Sequence, residues 1–178
     1  MSDAAFARPL PRSLAALLAL APVVLATILG AAATTPNLAG WYANLVKPAL
    51  NPPNWVFGPV WTALYLLIAC AFYRILRSKP STARRRAISI FLFQMALNCA
   101  WSFAFFAAHS PMLGVIVIAA MEAAIIAAIV LFRRIDKTAA RLLWPYAAWV
   151  AFAAYLNAAV WRLNWVLRGN SVAPTTFA

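Results

Sequence analysis

Residues Trp41 to Tyr65 read WYANLVKPALNPPNWVFGPVWTALY, and this stretch decides the fold. Pro48, Pro52 and Pro53 each lack a backbone N–H donor, and each pushes the residue before it toward an extended conformation. The first half of the stretch therefore reads as a stiff loop, not a helix interior. Its three Trp and two Tyr argue against disorder. From Trp55 onward the residues turn apolar, so the loop feeds directly into a helix of membrane length. Long loops without secondary structure of their own are usually functional when ordered.

Working outward, the same apolar texture recurs on both sides. Ser13–Ala33 holds 21 residues without a charge, enough to span a bilayer core about 30 Å thick. A secretory leader is a rival reading of this segment, with its basic start and Gly30-Ala31-Ala32-Ala33. The apolar run exceeds the roughly 7–15 residues of a leader. Further spans are expected at 55–73, 88–108, 112–132 and 142–165, with Pro59 in the first turns of the second and Pro145 near the start of the fifth. A polar lead over 1–12, a connecting loop over Thr34–Asn54 and a tail over 166–178 complete the division. The expected fold class is all-α integral membrane, a five-transmembrane-helix bundle with a long Pro/Trp-rich loop between helices 1 and 2.

Composition agrees. The chain has 178 residues, 66% hydrophobic and 10% charged, which a soluble domain of this size could not bury. Its net charge of +12 does not point to nucleic acid, because the cations sit in short connectors between apolar runs. Of 15 Lys and Arg, twelve fall in the lead and the second and fourth connectors; Lys47, Arg162 and Arg168 fall on the other side. The positive-inside rule then places the N-terminus on the basic-loop side and the Trp41–Asn54 loop opposite. Cys70 and Cys99 lie within apolar runs and read as buried small hydrophobes, not as metal ligands or a disulfide.

Helical spacing groups the remaining polar and aromatic residues on three faces. Phe57, Trp61, Tyr65 and Phe72 align on the second span, and Gln94, Asn98, Trp101 and Phe105 on the third. Tyr146, Trp149, Ala153, Asn157, Trp161 and Asn164 align on the fifth. Amides in lipid need partners, so these faces should point inward. They could glue helices together, or they could line an apolar, flat-walled pocket for a planar hydrophobic ligand. Trp41, Trp55, Trp144 and Trp165 lie near span ends and suit an interfacial belt. Glu122 is eleventh of 21 residues in the fourth span, where an ionisable group is a functional candidate by default; a tolerated or interface residue is the plainer reading. With one His and three acids, and no phosphate loop, nucleophile elbow or metal motif, no conventional catalytic constellation is present.

At these residues the sequence resembles the translocator protein, or tryptophan-rich sensory protein (peripheral-type benzodiazepine receptor), family. The resemblance rests on Trp41-Tyr42-x-x-Leu45-x-Lys47-Pro48, Asn51-Pro52-Pro53 and Phe57-x-Pro59-Val60-Trp61-x-x-Leu64-Tyr65. It continues through Gln94-x-x-x-Asn98-x-x-Trp101, Phe105-Phe106, Pro145-Tyr146-x-x-Trp149, Leu156-Asn157 and Trp161-Arg162-x-Asn164. It implies a five-helix bundle, usually a homodimer, that binds protoporphyrin IX or a haem-like tetrapyrrole and benzodiazepine-type compounds, with no obligatory cofactor. It also implies a role in tetrapyrrole transport or regulation and stress response, or alternatively light-dependent porphyrin degradation. Carried onto this chain, the implied pocket is Tyr42, Trp61, Tyr65, Asn98, Trp149 and Ala153. The spacing argument adds Trp101, Tyr146 and Asn157, and Trp41, Lys47, Pro48, Pro52 and Pro53 are expected in a loop lid. The family's cholesterol consensus is broken, because Ala158 stands where its tyrosine would be. The expected setting is a bacterial cell envelope. Small residues at Gly30–Ala33, Ala96 and Ala100 are candidates for a dimer seam.

Overall fold

The computed structural model describes residues 10–170, with side chains through 165. Most of the lead and tail, with Arg8 and the Arg168 side chain, lie outside the described side chains. Every regular element among the described residues is a helix, and five helical stretches are long and apolar enough to cross a membrane. Helix α1 covers Arg12–Asn37, α2 Asn54–Arg77, α3 Thr82–Ser102, α4 Pro111–Arg133, α5 Lys137–Leu142 and α6 Trp144–Asn170. Short α5 leads into α6, so together they supply the fifth span.

The helix starts follow local chemistry. Ser81, Ser110 and Asp136 cap α3, α4 and α5 by accepting backbone N–H bonds, and Pro111 opens α4 where its missing donor costs nothing. The C-terminus of α2 is closed from outside: Arg84 donates to the Ile75 and Leu76 carbonyls at 3.1 and 2.7 Å. The Ile75 carbonyl also accepts from the Ser78 N–H and hydroxyl, at 3.1 and 2.7 Å, so this helix end is well satisfied.

The expected Thr34–Asn54 loop is shorter than its sequence suggests. α1 runs through Pro36 and widens into a π-helical turn over Leu38–Tyr42. Pro36 removes one donor from the ladder, and a π turn is a known accommodation of such a defect. The loop proper is 43–53. A second π turn, Phe103–Ala107, ends α3. It leads to His109, the one described non-glycine residue with positive φ, at 50°.

Packing differs between the two ends. Toward the basic connectors the interior is solid: Phe72 stacks on Phe91 at 3.9 Å, Phe91 on Phe132 at 6.1 Å, with Ile68, Ile75, Ile125 and Val150 buried among them. α3 lies along α4, and α4 along α6, through this region. Toward the loop end, α2 touches α6 only lightly, and the bundle is hollow there.

Candidate functional site

The hollow end holds a cavity of about 370 Å³. Four helices and the loop wall it: α1 from Ala26 to Thr35, α2 from Asn54 to Tyr65, α3 from Asn98, its π turn at Phe105 and Phe106, and α6 from Trp149 to Val160. Among the described residues, no acidic or basic side chain lines it. Its chemistry is aromatic rings with a few neutral amides and hydroxyls.

Trp61 and Tyr65 sit one turn apart on α2, ring centroids 5.2 Å apart. Trp149 faces them from α6 and meets Phe57 edge-on at 5.9 Å. Ala153, one turn on, leaves space beside the indole. The Trp149 Nε1 donor is itself buried and has no partner among the described residues.

The amides answer the question that spacing left open. The Tyr65 hydroxyl donates to Asn98 Oδ1 at 3.0 Å, Asn98 Nδ2 donates to the Tyr146 hydroxyl at 3.1 Å, and that hydroxyl donates to Gln94 Oε1 at 3.1 Å. Trp101 Nε1 donates to Asn157 Oδ1 at 2.9 Å, while Asn157 Nδ2 donates to the Pro111 carbonyl at 2.8 Å. Asn98 and Asn157 thus tie helices together and show the cavity what remains of their hydrogen-bonding capacity. Buried polar groups satisfied in this way orient the neighbouring rings.

Eight of the nine expected pocket residues lie on the cavity wall: Tyr42, Trp61, Tyr65, Asn98, Trp101, Trp149, Ala153 and Asn157. Tyr146 is the correction. It is 0% exposed and stands behind the wall, its hydroxyl bonded to Asn98 and Gln94, because its place on α6 faces the α3–α4 seam. Phe72 likewise belongs to the solid core. The expected lid divides. Tyr42, Asn51 and Asn54 reach the cavity, and the Tyr42 hydroxyl donates to Asn51 Oδ1 at 3.4 Å. Lys47 and Pro48 face outward onto a separate groove, Pro52 is half-buried, and exposed Pro53 is the N-cap of α2. Trp41 does not line the cavity but sits half-buried in the π turn at the end of the first span. It stacks on His109 at 4.8 Å and meets Phe105 edge-on at 5.4 Å, closing the floor of the π turns.

Sequence spacing missed the α1 wall. Thr27, Gly30, Ala31 and Thr34 line the cavity, and the bare Gly30 leaves Ser102 Oγ only 3.4 Å from where a Cβ would stand. The signal was present as small residues at helical spacing, but such a pattern equally suits contact with another helix. Glu122 takes no part in the wall; α4 contributes none of the lining. No group of His, Cys, Asp and Glu that could hold a metal occurs among the described residues.

These features define a class: a multi-pass integral membrane protein whose five-helix bundle encloses an uncharged aromatic cavity beneath a Pro-stiffened loop. The chain belongs to the TspO/MBR family, which it matches over residues 18–162. It is 39% identical to the tryptophan-rich protein TspO of Chlorobaculum tepidum over 132 residues, covering 73% of this chain and 84% of that protein. It is 37% identical to the human translocator protein over 136 residues, covering 75% and 80% of the two. To the tryptophan-rich sensory protein of Cereibacter sphaeroides it is 36% identical over 139 residues, 76% and 86% of the chains.

Proposed function

We propose that this protein binds a planar tetrapyrrole of the protoporphyrin IX or haem class in the cavity, serving its transport or sensing. The supporting observation is that Trp61 from α2 and Trp149 from α6 both line an uncharged space of about 370 Å³, within the usual size range of ligand pockets. Flat aromatic walls stack on a flat macrocycle, and each favourable ring pair contributes about 0.5–1.5 kcal/mol beyond area burial. The 43–53 loop opens for entry and closes behind the ligand.

Trp149→Ala tests this. Loss of the ring is expected to weaken protoporphyrin affinity at least tenfold, about 1.4 kcal/mol, with the protein still inserted. Ala153→Thr crowds the same space and should weaken binding less. Quenching of tryptophan fluorescence reads both. If Trp149→Ala and Trp61→Ala each bind as tightly as the parent, the cavity is not the porphyrin site.

A second reading, light-dependent porphyrin breakdown, draws on the close aromatic series Trp61–Tyr65 and Trp61–Tyr146, at 5.2 and 6.3 Å. It requires a new absorption product that forms only under illumination with protein present, and that Trp149→Phe abolishes while binding persists.

A further inference from the structure

A second cavity lies outside the bundle, between the loop and the outer face of α6. This groove of about 690 Å³ is lined by Val46, Lys47 and Pro48 on one side and by Ala158, Ala159 and Arg162 on the other. Its floor is two consecutive alanines, so a trough runs along α6 where larger side chains would fill it. Among the described residues, its only charged lining groups are two cations, Lys47 and Arg162.

Both walls are held in place. The Val46 N–H donates to Asn164 Oδ1 at 3.1 Å, and Asn164 Nδ2 donates back to the Val46 carbonyl at 3.0 Å. Lys47 Nζ donates to the Ala43 and Leu45 carbonyls at 3.2 and 3.1 Å and sits 4.6 Å from the centre of the Tyr42 ring. An ammonium has three donors, so one remains unspent at the rim. Arg162 is exposed on the facing wall. The one ion pair among the described residues, Arg74–Asp136, lies at the opposite end of the bundle, and Glu122 lies mid-helix on α4. Neither carboxylate balances the two cations. Exposed Trp165 lies just beyond the site on the same helix, as aromatic residues do at the headgroup level, and exposed Tyr155 lines the groove about 15 Å deeper along α6.

We propose that this groove binds an anionic phospholipid from the leaflet on the loop side. The phosphate sits between Lys47 and Arg162, and an acyl chain lies along Ala158 and Ala159. A soluble anion would use the cations and leave the apolar trough unused. A neutral lipid would use the trough and leave the cations unpaired. Only an amphiphile with a negative head answers both.

The experiment compares full-length protein in nanodiscs of phosphatidylcholine with and without phosphatidylglycerol. Retained lipid is counted by native mass spectrometry. Phosphatidylglycerol should be retained at least tenfold over phosphatidylcholine. Arg162→Gln should cut that preference about fivefold, the worth of one interfacial cation. Ala158→Leu fills the trough without touching charge and should abolish retention while leaving protoporphyrin titration unchanged. Arg133→Gln with Arg134→Gln removes two connector cations on the far face and should change nothing. Equal retention of the two lipids overturns the proposal. So does a preference that survives both groove variants but falls with the connector pair, since it would then belong to the basic face.

Discussion

Gly114 shows how much one missing atom can decide. A Cβ built there would lie 2.5 Å from Asn157 Oδ1 and 3.0 Å from Phe105 Cδ2. Both neighbours are committed: Asn157 to Trp101 and the Pro111 carbonyl, Phe105 to its stack with Trp101 at 5.5 Å. The Asn side chain cannot swing away without giving up two buried bonds. Gly114→Ala is therefore expected to destabilise the protein by about 2 kcal/mol, overpacking and lost hydrogen bonds together. Thermal unfolding in detergent should show it. Gly58→Ala, which faces open space, is the matched control and should unfold no earlier than the parent.

Two connections between elements carry separable predictions. The loop is tied to α6 through Val46 and Asn164, so Asn164→Ala removes both bonds at once. Net values of roughly 0.5–1.5 kcal/mol per bond correspond to about tenfold faster amide exchange across residues 43–51, read by hydrogen–deuterium exchange. Unchanged exchange would mean that the prolines alone hold the loop. At the other end, Asp136 caps α5 and pairs with Arg74 at 2.8 Å. Partial burial pushes its carboxyl up, but the Ala139 N–H, the Arg74 guanidinium and the Thr138 N–H outweigh that and hold it below the usual range. A lowered folded-state pKa gives stability that is fully present above the unfolded value, about 3.9, and is lost as pH falls through the folded one. Stability should thus be flat from neutral pH to about 4 and decline below it. Asp136→Ala should remove that acid dependence and cost about 1 kcal/mol, mostly through the cap, since exposed ion pairs contribute little. A parent protein whose unfolding temperature does not change below pH 4 would contradict this assignment.

Across the whole molecule, the outer face of α3 stands without a partner in the single chain. Ala96 and Ala100 are exposed there, one turn apart, with Leu92 and Phe93 beside them. Small residues let helices approach closely in lipid, where burial supplies no drive of its own. The expected assembly is a homodimer with this face as its seam. Ala100→Leu should shift native mass in detergent toward the monomer, and an unchanged dimer would place the seam on another face. The division of the bundle into a solid and a hollow end bears on such variants. Changes near Phe72, Phe91 and Phe132 should act on stability, and changes near Trp61 and Trp149 on ligand.

Five membrane-length apolar runs, the prolines at 48, 52 and 53, and faces of aromatic and amide residues at helical spacing were all legible from the chain alone. Local rules govern them: hydrocarbon thickness sets span length, proline geometry sets the loop, and helical period sets which residues share a face. Most of the pocket followed, because a face that carries amides in lipid must turn inward. Three things needed the tertiary structure. Whether α1 would stop at Pro36 or pass through it as a π turn depended on the packing of Trp41 against Phe105 and His109. Whether Tyr146 would line the cavity or stand behind it depended on how far α6 rotates toward the seam of α3 and α4, and one helical period cannot set that rotation. Small residues on α1 became cavity wall because α2 and α6 touch each other so little that the space beside them reaches α1. The physical reason is common to all three: periodicity fixes directions within one helix, but a cavity is made by the distances between helices.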